Sequence, residues 1–334
     1  MKKGVSMTEA GDAQVQEERA FIPVSLGSLR IDSITTFDIY FQPALGQPFV
    51  LYAERNLRFT EHARKRLLDN NLNMVYVRGT QRSEYNRYVE ENLASIMSDP
   101  SIKPEKKSEM LYASATSVAE SVIRDPKSME NLQRSREIVK STVNFMLEDR
   151  QVLAHLLKSL SSVYEIYTHS VNVVTYGIAL AQRAGESDPA TLRELAIGAL
   201  LHDVGKSKID PAIINCRGTL TGEQWKMMKR HPDHGHEILA ATGAIGEIAL
   251  DIVRHHHERL RGTGYPDNLK GITISRFVRM ITIVDIFDAL TTDRPFQKAR
   301  SSFAALNLMG SQVANDLDPD LFRTFVSMMG KPVQ

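Results

Sequence analysis

From residue 150 to the C-terminus, the sequence follows the apolar period of helices and contains no convincing strand. Thr221 followed by Gln224 matches a capping box at a helix start, and Gly185 marks a break between two helices. The stretch RGTGYPDNLKG at 261–271 holds three glycines and a proline, which predicts a loop. This part of the chain is therefore expected to form an all-α bundle with one conspicuous loop.

Residues 21–80 carry a different pattern, typical of a small α/β domain. The stretch TFDIYFQ alternates, with Phe37, Ile39 and Phe41 on one side, as in a half-buried strand. PFVLYAE predicts a second strand, Thr60 is placed to cap a short helix, and MVYV predicts a third strand. Nothing here has catalytic spacing, so we interpret this domain as accessory or regulatory.

The segments around this domain are expected to be a tail and a linker. Residues 1–20 have two lysines but no apolar core after them, which predicts a disordered tail and not a signal peptide. Residues 81–149 are helical in pattern, with long helices expected at 104–124 and 127–149. Such helices either join a sensor to an output domain and form a homodimer, or are ordinary bundle helices. The output domain is then 150–334.

Composition excludes several classes of protein. The formal charge is +1, so no global basic field favours a nucleic acid polymer or anionic lipid. No apolar run approaches the roughly 20 residues of a membrane span. The single cysteine, Cys216, rules out an internal disulfide framework and suits a reducing compartment. We therefore expect a cytoplasmic protein.

The ten histidines are unevenly distributed. Only His62 precedes residue 155, and the other nine lie between His155 and His257. Random surface histidines would not cluster in this way, so we expect the chemistry in the second half. Glu165 and His169 are four residues apart and share one face of a helix. Further candidates at expected helix ends are His202, Asp203, His231 and the run HHHE at 255–258.

Asp285 is the most informative of the acids because it lies inside the apolar stretch MITIVDIFDAL. A carboxylate there needs a cation or strong hydrogen-bond donors. Taken alone, Asp285 fits a buried salt bridge or a helix–helix hydrogen bond equally well. His202 and Asp203, taken alone, fit a helix cap, and His231 is expected at the end of the helix that Thr221 begins.

Together, these residues favour a metal centre. Imidazole and carboxylate ligands suit iron, manganese, zinc or nickel, and the lack of cysteine ligands argues against a usual structural zinc site. Six or more candidate ligands exceed what one catalytic ion needs. Two or three ions that share bridging carboxylates would use them all, and such clusters hydrolyse phosphoesters.

The ordered series HDVGK, HPDHG, HHE, GTGYP and VDIFDALTTDRP resembles the HD-GYP family of the HD phosphohydrolase superfamily. The resemblance covers about residues 150 to 330. The whole series is a specific signal, whereas a lone HD dipeptide would be a weak one. The resemblance implies a mainly α protein whose C-terminal HD-type helical bundle follows the small α/β domain. It also implies a cyclic di-GMP phosphodiesterase that holds iron or manganese.

The resemblance further implies which residues bind metal. Asp203 would bridge two ions, and Glu165 matches the extra carboxylate of members that hold a third. Since three consecutive histidines cannot all point into one site, the register counted back from the GYP loop excludes His255. Glu258 is expected to orient a histidine. The implied metal ligands are Glu165, His169, His202, Asp203, His231, His256, His257 and Asp285.

Other positions match residues that hold substrate. Lys206 matches a lysine that contacts the phosphate and counts with Asp203 as catalytic, and Arg294 and Lys298 match basic residues that hold a second phosphate or a guanine. Tyr265 is expected to contact substrate. Its loop, Gly264–Pro266, is a candidate contact for a protein partner.

The expected function is hydrolysis of cyclic di-GMP to linear pGpG, and to GMP by a second cut, through hydroxide that bridges the metals. A different cyclic dinucleotide, such as cyclic GMP-AMP, fits the same residues. The family usually has aspartate where this chain has Arg261, which also leaves open a catalytically weak receptor for cyclic di-GMP.

Overall fold

A computed structural model describes residues 21–148, 152–161, 165–216, 218–293 and 298–330. The chain divides into two compact units between Met110 and Leu111. Within these residues, helices predominate and the strands are confined to the first unit, which confirms the predicted fold class. The expected tail at 1–20 lies outside the described residues, and the domain limits at 80 and 149 stay a prediction.

The first unit contains an antiparallel four-stranded sheet in the order β1-β6-β3-β4 and a separate pair, β2 with β5. The three strands expected from the alternation are β3, β4 and β6. Strand β1 was missed because Pro23 argues against a central strand, and the structure places β1 at a sheet edge, where proline is tolerated. The strands are β1 (Phe21–Ser25), β2 (Ile34–Thr35), β3 (Ile39–Phe41), β4 (Val50–Ala53), β5 (Leu57–Arg58) and β6 (Met74–Arg78).

Helices occupy the rest of the first unit. Thr60 Oγ1 accepts a hydrogen bond from the Ala63 amide at 3.2 Å, which confirms the predicted cap. The fourth helix continues past the boundary between the units. These helices are α1 (Glu61–Asp69), α2 (Arg82–Glu91), α3 (Leu93–Ser98) and α4 (Pro104–Arg124).

In its described part the second unit contains helices and no strand, and its strand-like pairing is limited to isolated bridges such as that between Arg261 and Lys270. None of the described helices is long and apolar enough to cross a membrane. The helices are α5 (Met129–Glu148), α6 (Val152–Ser159), α7 (Ile166–Arg183), α8 (Pro189–Leu201), α9 (Pro211–Ile214), α10 (Gly222–Met228), α11 (His231–Ala240), α12 (Glu247–His255), α13 (Arg276–Thr291), α14 (Ser302–Leu308) and α15 (Pro319–Gly330).

The core of this unit forms around α7, α8, α12 and α13. Helix α7 packs against α8 and α13, and α8 packs against α5 and α12. Both α7 and α13 are buried over most of their length, as expected for helices that are apolar on nearly all sides. The polar groups that they carry into this core therefore need partners there.

Candidate metal centre

The candidate ligands converge from helix ends and from two buried helices. His202 is the C-cap of α8, Asp203 follows it, and His256 and His257 directly follow α12. His231 begins α11, so the expectation that it ends the helix capped by Thr221 is wrong. Pro232 explains the difference: a helix usually ends before the residue preceding proline, and proline suits the first turn of the next one.

Three of the histidines are held in one tautomer by the backbone. Each has Nδ1 against the carbonyl oxygen three residues earlier, at 2.7 Å for His202, 2.8 Å for His231 and 3.0 Å for His256. A carbonyl oxygen only accepts, so Nδ1 carries the hydrogen of the neutral ring. The lone pair is then on Nε2, which is the atom that each ring directs into the centre.

Some of the atoms that converge on the centre lack a hydrogen-bond donor. The Nε2 atoms of His231 and His256 are 3.2 Å apart, and two lone pairs at this distance need a cation between them. Among the described residues, His202 Nε2 and Asp203 Oδ1 are buried without a hydrogen-bond partner. Buried polar atoms are nearly always satisfied, so this donor set fits divalent metal ions.

Asp203 lies between two groups of ligands. Its Oδ1 is 3.3 Å from His231 Nε2, and its Oδ2 is 3.4 Å from His202 Nε2. Each carboxylate oxygen thus faces a different group, which is the arrangement of a bridging ligand. The sets whose ligand atoms all lie within 4.8 Å of one another are His231, His256 and His257; His169, His202 and Asp285; and His202, Asp203 and His256.

Their surroundings hold His231, His256, His257 and Asp203 in their metal-binding protonation states. Burial lowers the pKa of His231 to about 4 and that of His257 to about 3, and it lowers the pKa of His256 well below the usual value. Burial would raise the pKa of Asp203, but the Lys206 ammonium 2.5 Å away and the nearby histidines hold it well below its usual range. Neutral imidazoles and an ionised carboxylate are the forms that bind metal.

We expect the stability of the metal-free protein to fall as the pH falls. For each of these histidines, the pKa in the folded state lies below that of the unfolded chain. Between pH 6.5 and about 4, the unfolded chain therefore binds protons that the folded chain does not. The free energy of unfolding should drop by about 1.4 kcal/mol per pH unit for each histidine. Urea unfolding of chelator-treated protein at several pH values measures this free energy. Its dependence on pH should be weaker in His231→Asn. Equal stability at pH 7 and pH 5 would contradict the prediction.

His169 is oriented by a carboxylate that the motifs did not single out. Its Nε2 is 3.1 Å from Asp285 Oδ1, and its Nδ1 is 2.7 Å from Asp288 Oδ2. Asp288 is the carboxylate that orients a metal-site histidine here, the role that the sequence assigned to Glu258. Asp288 follows Asp285 by three residues on α13, so helical spacing in the same apolar stretch was the available signal.

Glu258 anchors the loop instead. It is buried, and its carboxylate accepts from the amides of Asp267 and Leu269 at 2.7 and 3.0 Å. The expectation that it orients a histidine is therefore wrong, because its oxygens are used by the backbone. His255 turns away from the centre and lies 2.6 Å from Asp251 and 2.9 Å from Asp267.

Glu165 is not part of the three ligand sets. It is the exposed N-cap of α7, where its amide donates to Thr168 Oγ1 at 3.0 Å. It lines the same cavity as His231 and His257, and its assignment to a third ion stays a prediction.

A cavity of about 1120 Å³ opens onto the centre. Lys206, His231, His257 and Tyr265 line it beside apolar residues between α9 and α11. Trp225 lines it too, although the sequence gave it no role. Tyr265 packs over His257 with ring centroids 4.7 Å apart, so the loop closes one side of the cavity.

Arg294 is outside the described residues, so its predicted contact with substrate stays a prediction. Lys298 is 94% exposed, lies 3.9 Å from Asp293 and does not line the cavity, and its contact with substrate stays a prediction. Arg261 pairs with Asp316 at 3.2 Å, which ties the loop to the segment before α15 and gives the unusual arginine an anchoring partner.

Comparison with known proteins now places the chain in a family. The family model described as HD domain matches residues 136–321, more than half of the chain, so the chain belongs to the HD domain family. A solved structure described as Bd1817, a HDG"Y"P protein from Bdellovibrio bacteriovorus, superimposes with a TM-score of 0.65 over 93% of this chain and 100% of that chain. At 21% identity, this likeness shows the fold.

Curated relatives confirm the resemblance to the HD-GYP family. Cyclic di-GMP phosphodiesterase PA4108 of Pseudomonas aeruginosa is 32% identical over 223 residues, which cover 66% of this chain and 53% of that protein. The 3'3'-cGAMP-specific phosphodiesterase 3 of Vibrio cholerae is 30% identical, over 61% of this chain and 46% of that protein. Cyclic di-GMP phosphodiesterase response regulator RpfG of Xanthomonas campestris is 31% identical, over 51% and 46%. The chain spans about half the length of these relatives.

Proposed function

We propose that the protein is a metal-dependent phosphodiesterase that opens cyclic di-GMP. The observation that carries this proposal is Asp203, a buried carboxylate whose two oxygens face two groups of imidazoles at 3.3 and 3.4 Å. A structural role for such a set is disfavoured, because the Nε2 lone pairs of His231 and His256 face each other. Relatives named for cyclic dinucleotide hydrolysis support the substrate class.

The proposed ligands are His169, His202, Asp203, His231, His256, His257 and Asp285, with Glu165 for a third ion. Divalent iron or manganese bound there supplies Lewis-acid activation of water and neutralises phosphate charge. Asp288 and the backbone carbonyls fix the histidine rings, so the ligands are held in place before metal enters.

Lys206 is the proposed phosphate contact. Its side chain lies at the wall of the cavity, 14% exposed, with Nζ 2.5 Å from Asp203. An ammonium in this position neutralises a phosphate oxygen that approaches the carboxylate-rich centre, and a charged donor suits such an oxygen. Ring opening at one phosphodiester gives linear pGpG, and a second turnover gives GMP.

Aromatic residues at the cavity are the proposed platform for a guanine base. The rings of Trp225 and Tyr265 have centroids 6.4 Å apart, and Trp225 is 45% exposed. Lys229 Nζ lies 5.6 Å from the centre of the Trp225 ring and 5.4 Å from that of Tyr265. At these distances the ammonium is attracted to the faces of both rings. An exposed indole beside a phosphate contact suits a stacked purine.

We expect Trp225→Ala to raise the KM for cyclic di-GMP about tenfold with little change in kcat, because one base stack contributes about 1–3 kcal/mol. Steady-state kinetics measures this. Met227→Ala is the matched control: Met227 is 46% exposed on the same helix but does not line the cavity, so its KM should stay at the wild-type value. An unchanged KM in Trp225→Ala would mean that Trp225 does not stack on a guanine base.

The test of the function is metal analysis of protein purified without chelator, with hydrolysis followed on the same sample. Two to three iron or manganese ions per chain, with pGpG or GMP formed, support the phosphodiesterase. Cyclic GMP-AMP is assayed beside cyclic di-GMP, because one relative is named for cGAMP, and faster turnover of cyclic GMP-AMP would change the substrate. Full metal without product from either would favour the receptor function. No metal after anaerobic reconstitution would overturn the proposal.

A further inference from the structure

A hydrogen-bond chain runs from α4 to the candidate metal ligand His169. Tyr112 on α4 has its hydroxyl 3.0 Å from Asn172 Oδ1. Asn172 Nδ2 is 2.8 Å from Asp288 Oδ1, and Asp288 Oδ2 is 2.7 Å from His169 Nδ1. Asn172, Asp288 and His169 are at most 2% exposed, so water does not compete for these bonds.

The direction of each bond follows from chemistry alone. Asn172 Nδ2 also lies 3.1 Å from the Ser161 carbonyl oxygen. That oxygen and the Asp288 carboxylate only accept, so both must face the amide nitrogen. The amide oxygen then faces Tyr112, whose hydroxyl must donate to it.

The Tyr112 hydroxyl keeps the proton that it donates. Burial raises the pKa of Tyr112 to about 12, so the hydroxyl stays protonated at neutral pH. The same hydroxyl accepts a hydrogen bond from the Ser161 amide at 3.1 Å, so it accepts one bond and donates another. Together with the Ser161 carbonyl oxygen, Tyr112 therefore helps to fix which way the Asn172 amide is turned, and hence which atom meets Asp288.

We propose that Tyr112 is a positioning residue for the metal centre, acting through Asn172 and Asp288 to hold His169 with Nε2 as its coordinating atom. Asp288 alone could turn about its χ2 angle, because a carboxylate has two equivalent oxygens. The amide of Asn172 holds Oδ1, which leaves Oδ2 aligned with the ring of His169. The inference rests on the metal-dependent function proposed above, because its effect is on metal affinity.

The test is a double-mutant cycle on metal affinity in the full chain, with Tyr112→Phe and Asp288→Asn. Co²⁺ and Mn²⁺ are titrated against a chelating indicator, and the visible spectrum of the Co²⁺ protein reports ligand geometry. We expect Asp288→Asn to weaken affinity about 10- to 100-fold, as loss of a carboxylate behind a ligating histidine does. Tyr112→Phe, one bond further away, should weaken it about fivefold and shift the Co²⁺ bands. The double variant should bind like Asp288→Asn alone.

The matched control is Tyr88→Phe. Tyr88 is a buried tyrosine of the first unit, and its hydroxyl accepts a hydrogen bond from the Arg30 amide at 2.7 Å. It should keep the wild-type affinity and Co²⁺ spectrum, and unfolding of the chelator-treated variants checks that each is folded.

Three results would each overturn the positioning role: unchanged affinity in Tyr112→Phe, an equal change in Tyr88→Phe, or independent losses of affinity that multiply in the double variant. Wild-type protein that binds neither metal would instead overturn the metal-dependent function itself.

Discussion

Replacing Asp203 by alanine is expected to remove metal binding and to lower hydrolysis of cyclic di-GMP by at least about 1000-fold. The oxygens of Asp203 face both groups of histidines, at 3.3 Å from His231 and 3.4 Å from His202. Asp285 also reaches both groups, but one of its oxygens is farther away, at 3.7 Å from His257. The loss of Asp203 therefore removes a ligand shared by the two groups. Metal content of the purified variant and product formation measure the two effects.

Asp203→Asn separates charge from shape. The amide keeps the volume of the side chain but brings a hydrogen-bearing nitrogen among Nε2 lone pairs, so it should lose metal as the alanine variant does. The control is Asp210→Ala, which removes the exposed N-cap of α9 and should cost about 1 kcal/mol of stability while metal content stays unchanged. Full metal content in Asp203→Asn would mean that the carboxylate does not bridge ions.

Residues that are close along the chain were the ones that the sequence predicted well. His202 with Asp203, and His256 with His257, adjoin helix ends where a short motif determines which side chains point inward. The loop at 261–271 was predicted equally well, because its glycines and proline disfavour a helix there. The structure brings these motifs together as the ordered series implied.

Contacts between residues far apart in the sequence were missed. Asp288 meets His169 across 119 residues and Asn172 across 116, and Tyr112 meets Asn172 across 60. No periodic pattern in the sequence identifies such a pair, because each partner on its own resembles an ordinary polar residue on a helix. Trp225 was missed for the same reason: an exposed indole gains a role only beside Tyr265, which the fold supplies.

The error at Glu258 has a similar origin. A carboxylate next to two ligating histidines suggested that it orients one of them, but the chain turns immediately after it. The amides of Asp267 and Leu269 return to Glu258 within eleven residues. A buried carboxylate satisfies the nearest unpaired donors, and in a tight loop those are backbone amides.

Gly205→Ala is expected to weaken the metal site without replacing any ligand side chain. Gly205 lies in the short turn Val204–Lys208, between Asp203 and Lys206, and this turn packs against α11. A Cβ at Gly205 would overlap the carbonyl oxygen of His231 and the amide nitrogen of Gly235. Both are backbone atoms, so no side chain can rotate away, and the turn must move from α11.

This displacement separates Asp203 from His231, which are 3.3 Å apart across the same contact. We expect a loss of about 3 kcal/mol in stability, seen as a melting temperature about 6–12 °C lower, together with a clear loss of metal affinity. Gly222→Ala is the matched control, because no heavy atom lies within 4 Å of its added Cβ, and both quantities should stay at the wild-type values. A wild-type melting temperature and metal affinity in Gly205→Ala would contradict this prediction. The distance between the two ligand groups would then not depend on the close packing of this turn on α11.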